Sequence, residues 1–362
     1  MSGEGSSFNL KKRKIQYQGK DRRVYSRVER LVDHPILDFE EDSEEREKLV
    51  KFVKTNLLEH RAIDWEWLQG MGVSDRVADL LGPRLRAAMD CQWPQHTELT
   101  LEFHCTFRHK EGTFAEKNAV SFSLGRNLYE MSIAEFGVAL GFYTKREVLT
   151  DDFVNGLRGA YNHARPNCLG PEELARFWET IATTPFAGTK LISSVRDPIH
   201  RYILKVLATT IVARRSGENK ANWLDLFALM CMVEKRNWNL ASFFAWSCNR
   251  PRRGGNRAAM DLGPYITRLA TNLGALTKYK LEQMRESFPT TYWSVRDLQL
   301  ASILSYSDPP EWEFKQGAQV QPPAGTEAAN TLQGAFPPRQ QRPRQRHEIQ
   351  APQHPLRQAC QP

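Results

Sequence analysis

A chain of 362 residues with 41% hydrophobic and 25% charged side chains has the composition of a soluble globular protein, long enough for one large or two ordinary domains. Its longest nearly apolar run, Trp223 to Val233, is interrupted by Asp225 and falls short of the roughly 20 residues that a membrane-spanning helix needs. The net charge of +8 lies in the flanks: residues 1–23 carry +5, residues 316–362 carry +3, and residues 24–315 hold 38 basic and 38 acidic side chains, which moves any nucleic-acid expectation from the body to the ends.

The N-terminal flank contains Lys11, Lys12, Arg13 and Lys14, followed by Arg22 and Arg23. Its KKRK run reads either as a nuclear-import signal or as a solvated basic arm, and no apolar signal segment precedes it. The six cysteines are scattered without CxxC pairs, so the expected setting is intracellular, cytoplasmic or nuclear, with reduced thiols. Residues 24–95 are expected to form an N-terminal helical region. Within it Ser43 opens a helix with Leu49, Phe52, Val53 and Leu57 on one stripe. Further on, DRVADLLGPRLRAAMD divides into two short helices near Gly82 and Pro83.

A second region, residues 96–315, is expected to be one helical domain. In LTLEFHCTF the apolar residues Leu99, Leu101, Phe103, Cys105 and Phe107 alternate, which favours a strand over 99–107, although the length also suits a buried helix. VSFSLGRNLYE has the Gly-Arg-Asn interruption of a hairpin. Ser132 and Glu135 then make a capping box, and Gly141 stands where that helix should stop. GPEELARFWETIATTP starts with Pro171 at the first helical position, carries Glu172 and Glu173 against the helix dipole, and buries Leu174, Phe177, Trp178 and Ile181.

The same grammar governs DPIHRYILKVLATTIVARRSG. Asp197 is the cap, Pro198 the first residue, and Gly217 lies beyond the end. Ile199, Tyr202, Ile203, Val206, Leu207 and Ile211 form one face, with His200, Arg201, Lys205 and Thr209 opposite, so a two-sided helix half in a core is expected. Arg214 and Arg215 suit the negative end of its dipole. Asn222 caps the helix WLDLFALMCMV, and NWNLASFFAWSC begins another; both are apolar all round, like central helices of a bundle. The loop NRPRRGGNR gathers Arg250, Arg252, Arg253 and Arg257 around two glycines, and reads as a phosphate-touching loop or simply as an exposed one.

The last 47 residues contain eleven Gln and eight Pro, with Arg339, Arg342, Arg344 and Arg346 inside PPRQQRPRQRHE. That composition cannot offset chain entropy by burial, so a disordered tail is expected, one that contacts RNA phosphates or merely solubilises. The fold class is therefore mainly α, a helical bundle with a small β-hairpin or short strands near residues 99–130 and disordered flanks.

Catalytic signatures are missing from the sequence. It has no GxxxxGK[ST] loop, no GxSxG elbow, no HExxH and no Asp-Thr/Ser-Gly. His104, Cys105 and His109 lie close together but lack a fourth ligand at metal-site spacing, and read as a buried thiol beside surface histidines. No cofactor, metal or small-molecule substrate is expected, and the chain is not expected to be an enzyme.

The blocks AVSFSLGRNLYEMSIAEFGVALGFYT, DPIHRYILKVLATTIVARRSGENKANWLDLFALMCMV, NWNLASFFAW and LGPYITRLATNLG, in that order, resemble the Athila-type protein of plant gypsy-class long-terminal-repeat retrotransposons, the product of the element's first open reading frame. The resemblance spans roughly residues 95–285. It implies a gag-like role, self-association together with packaging of RNA. The chain lacks the CxxCxxxxHxxxxC zinc knuckle and the Q-x3-E-x7-R run of retroviral capsids, so RNA contact is expected to rest on Lys11 to Arg23 and Arg339 to Arg346. A more distant similarity is to the plant mobile domain, which implies instead a nuclear module that binds protein partners and not RNA.

Overall fold

Short side-chain caps start many of the helices. The Arg46 N–H donates to Ser43 Oγ at 3.1 Å ahead of Glu44–Phe52, and the Trp67 N–H donates to Asp64 ahead of Trp65–Gly70. Reciprocal capping boxes open Ile133–Ala139 (Ser132 with Glu135), Trp223–Val233 (Asn222 with Asp225) and Val295–Leu300 (Ser294 with Asp297). Asp197 caps Pro198–Thr209, accepting from the Ile199 N–H at 2.8 Å with Pro198 as the first helical residue. The helix Ser74–Met89 breaks at Gly82, whose φ of 67° and ψ of 170° precede Pro83, as the sequence predicted.

The computed structural model describes residues 29–110, 117, 119–151, 153, 171–213, 218–249, 259–307 and 311–314. Every described residue belongs to one compact unit. The disorder expected of both flanks and the positions of Arg214, Arg215 and Gly217 lie outside the described residues.

The architecture is mainly helical with a few short strands. The hairpin pairs Val120–Leu124 with Asn127–Met131, extended on one side by Arg108–His109. Gly125 and Arg126 form its two-residue turn, both at positive φ (58° and 68°), the backbone that suits the right-handed twist of two-residue hairpins. Two short pairings tie distant parts of the chain together. Asn56–Leu57 runs parallel to Ala259–Met260, and Gln95–His96 runs antiparallel to Ser287–Phe288.

One large apolar cluster runs from Ile63 to Leu304 and draws on residues from both sides of position 95. The helices Pro171–Ile181, Pro198–Thr209, Trp223–Val233 and Leu240–Asn249 supply much of it, including the expected Leu174, Phe177, Trp178 and Ile181. A smaller cluster collects Leu31, Leu37, Leu49, Phe52, Val53, Leu101, Cys105 and Met260.

Three sequence expectations are corrected. Residues 97–106 form a helix, Thr97–Thr106, not a strand over 99–107. Leu99 and Phe103 face the large cluster while Leu101 and Cys105 face the small one, and residues two apart in a helix lie on nearly opposite sides, so burial between two cores imitates strand alternation. Leu57 leaves the helical stripe for a short strand. The Pro198 helix ends at Thr209 and is buried nearly all round, because Arg201, Lys205 and Thr209 are each only 3% exposed. Their polar atoms find partners inside: Arg201 donates to the carbonyls of Arg196 and Ser302, and the Thr209 hydroxyl to the Arg61 carbonyl at 3.3 Å.

Candidate functional site

The side chains offered by the sequence for nucleic-acid contact, Lys11, Lys12, Arg13, Lys14, Arg22, Arg23, Arg250, Arg252, Arg253, Arg339, Arg342, Arg344 and Arg346, lie outside the described residues. The structure places the described residues on either side of positions 250–258. Cys248 before them and Met260 after them are both buried, and Met260 is held beside Leu57 by strand pairing.

Within the body many arginines are set against carboxylates. Arg108 reaches Glu44 and Glu45 at 2.8 and 2.7 Å, Arg76 reaches Asp197 at 3.1 Å, Arg236 contacts Glu173 and Glu234, and Arg84 contacts Glu147. Around Trp293 the arrangement is tighter. Arg61 Cζ lies 4.2 Å and Lys205 Nζ 4.1 Å from the ring centre, Arg61 pairs with Glu59 and Asp297, and Lys205 lies 3.8 Å from Glu218. A hydrogen bond from the Ser294 hydroxyl, helped by the Arg61 charge, holds the Asp297 carboxyl below its usual range. Cations stacked on an indole and matched by carboxylates form a stable seam that offers no free charge to a ligand.

Burial moves several titratable groups away from neutral pH. His60 sits against the Cys91 carbonyl at 3.0 Å, and burial pushes it down to about 4. Burial pushes the thiols of Cys91 and Cys105 up to about 12, which makes them poor nucleophiles. His96 is 5% exposed, neither ring nitrogen has a hydrogen-bond partner, and burial lowers it. Glu102 stands apart, pushed up by burial to about 7. Its carboxylate, however, is engaged with the backbone N–H groups of Gly125 and Arg126, each at 2.6 Å; it braces a turn.

The FHCTFRH cluster does not assemble. His104 is buried, not a surface histidine as expected, and its Nε2 lies 2.9 Å from the Asp261 carbonyl oxygen. Cys105 turns to the smaller core and His109 lies in a strand. Among the described residues no group of three His, Cys, Asp or Glu is placed to hold a metal ion, and no helix is long and apolar enough to cross a membrane.

Two adjoining depressions of about 400 and 370 Å³ share Asp90; Gly82, Pro83 and Arg86 line the first, and Gln92, Trp93 and Pro94 the second. Sequence reading missed this surface, because Gln92 and Trp93 are joined there to Tyr292 and Thr290, some 200 positions away. The exposed dipeptide Trp93-Pro94 is the one local sign of it. Comparisons with protein-family models, with curated proteins and with solved structures find no match to this chain.

Proposed function

We propose that the chain is a gag-like structural protein of the Athila retrotransposon kind, which associates with itself and binds RNA without sequence preference through its basic flanks. The observation that carries the reading is the partition of charge. Residues 24–315 are formally neutral while the flanks carry +5 and +3, and the body's arginines are repeatedly matched to carboxylates. A neutral, mainly helical body with cationic ends suits a protein that packs against copies of itself while its ends neutralise phosphates. His60 and the Cys91 and Cys105 thiols, shifted away from neutrality by burial, agree with a structural role.

Binding of labelled single-stranded RNA to the full chain, followed by anisotropy across a salt series, tests this reading. Six phosphates neutralised at about −0.7 each give a log–log salt slope of roughly −4. Replacing Lys11, Lys12, Arg13, Lys14, Arg22, Arg23, Arg339, Arg342, Arg344 and Arg346 by Gln in the full chain removes most of that slope. An unchanged slope and affinity in this variant contradicts the reading.

A second reading, a nuclear protein-interaction module derived from such an element, is favoured by one observation: the aromatic depression at Trp93 is flanked by carboxylates, a surface better suited to a basic peptide than to RNA. It entails a monomer or small oligomer without RNA affinity.

A further inference from the structure

We propose that the surface formed by residues 90–94 and 290–292 is a docking groove for an extended, arginine-rich and proline-containing peptide segment. This holds under either reading of function. Two chain segments run side by side here. Gln95–His96 pairs with Ser287–Phe288, the Thr290 hydroxyl donates to the Trp93 carbonyl at 3.1 Å, and the Tyr292 hydroxyl donates to Gln92 Oε1 at 3.3 Å. Trp93 is 37% and Tyr292 44% exposed, so two large aromatic side chains bound to one ribbon stand in solvent. Beside them lies the depression of about 370 Å³, which continues across Asp90 into the one lined by Pro83 and Arg86.

The charge around these rings is negative. Tyr292 is partly buried and lies close enough to Asp64, Asp90 and Glu66 that burial first, and then these three carboxylates, push its phenol up. The nearby arginines are engaged elsewhere. Arg86 is stacked over Trp65 with Cζ at 4.4 Å from the ring centre, and Arg268 donates to the carbonyls of Ala87 and Gly141. Asp64 and Asp90 each accept one hydrogen bond, from the Trp67 N–H and the Gln92 amide, and keep their charge; exposed indole and phenol faces next to such carboxylates recognise guanidinium by stacking and by charge together. The chain already makes this contact elsewhere, with Arg86 on Trp65, Arg61 on Trp293 and Arg84 over Tyr143. A depression lined by Trp93 and Pro94, with Tyr292 hydrogen-bonded to its Gln92, also fits an extended proline-containing backbone, which loses little entropy on binding. Three carboxylates repel phosphate, so the same surface disfavours nucleic acid.

The test uses a fluorescein-labelled synthetic peptide with the sequence of residues 336–346, FPPRQQRPRQR. Its receptor is the full chain with Arg339, Arg342, Arg344 and Arg346 replaced by Gln, so that the chain's own segment does not compete. Saturable binding by anisotropy is expected. Asp90→Lys and Trp93→Ala are each expected to weaken it about fivefold, while circular dichroism and the unfolding midpoint stay unchanged. Tyr292→Ala serves as the third variant should either of those perturb folding. A peptide with every Arg replaced by Gln is expected not to bind. The proposal is overturned if no saturable binding occurs, or if binding survives folded groove variants unchanged. It is also overturned if Trp93→Ala weakens binding of a single-stranded oligouridylate while leaving peptide affinity intact, which would make the surface a nucleic-acid site.

Discussion

Glu102 offers a direct check on how burial and hydrogen bonding compete in this fold. It is 1% exposed, and its two carboxylate oxygens accept the N–H groups of Gly125 and Arg126, the turn residues of the hairpin. The charges of Lys280 and Arg126 favour the ionised form, and Lys280 Nζ donates to the Gly125 carbonyl at 2.6 Å. Burial outweighs these terms and moves the group from 4.5 to about 7. Between those values the folded chain holds a proton that the unfolded chain has released, so stability falls as pH rises through the window. At about 1.4 kcal/mol per pH unit the loss is roughly 3 kcal/mol. Glu102→Gln keeps the shape of the protonated carboxyl and cannot titrate. Urea unfolding followed by tryptophan fluorescence measures both proteins on either side of the window. From pH 4.5 to about pH 8, the stability difference is expected to shift by roughly 3 kcal/mol in favour of the variant. A difference that does not change with pH, or one that moves toward the wild type, refutes the reasoning and shows that the two N–H bonds outweigh burial.

Three further substitutions, with one control, probe the rest of the core. Leu207→Asp places a charge at a fully buried position and is expected to cost more than about 4 kcal/mol, abolishing cooperative unfolding in a urea titration. Gly137→Ala puts a Cβ 2.4 Å from the Tyr143 ring and 2.9 Å from Ala241, and Tyr143 is tethered by its hydroxyl to Asn239, so a loss of about 1–3 kcal/mol is expected. Gly70→Ala, with nothing within 4 Å, is its control and should change stability by less than about 1 kcal/mol in the same assay. His96→Leu removes a buried ring whose nitrogens lack partners and is expected to leave stability unchanged or raise it by about 1 kcal/mol. Because burial lowers the His96 pKa, the wild type loses stability as pH falls below 6.5, and thermal melts of the variant should show a smaller loss there.

Much of the helical grammar was legible because it is local. Asp197 with Pro198, Ser132 with Glu135, and the Leu174-Phe177-Trp178-Ile181 stripe need only residues within two turns of one another. The hairpin turn at Gly125 and Arg126 was equally readable. What failed depended on distant partners. The alternation over Thr97–Thr106 misled because the helix is clamped between two cores, and its polar residues are also buried. Glu98 accepts the Arg285 N–H, Glu102 the hairpin amides, and His104 meets Asp261, all from segments far along the chain. The supposed solvent face of the Pro198 helix was buried for the same reason, since Arg201 and Lys205 are matched by Ser302, Trp293 and Glu218. The Trp93–Tyr292 surface joins two segments whose proximity no periodicity reveals.

The central claim, self-association with RNA driven by the basic flanks, is tested most directly by light scattering on the eluting full chain, with and without nonspecific RNA, at low and at high salt. The expected result is a large RNA-containing particle at low salt that falls apart at high salt, and none from the chain whose flank arginines and lysines are replaced by Gln. A full chain that stays monomeric and free of RNA under both conditions contradicts the claim and leaves the protein-interaction module in its place.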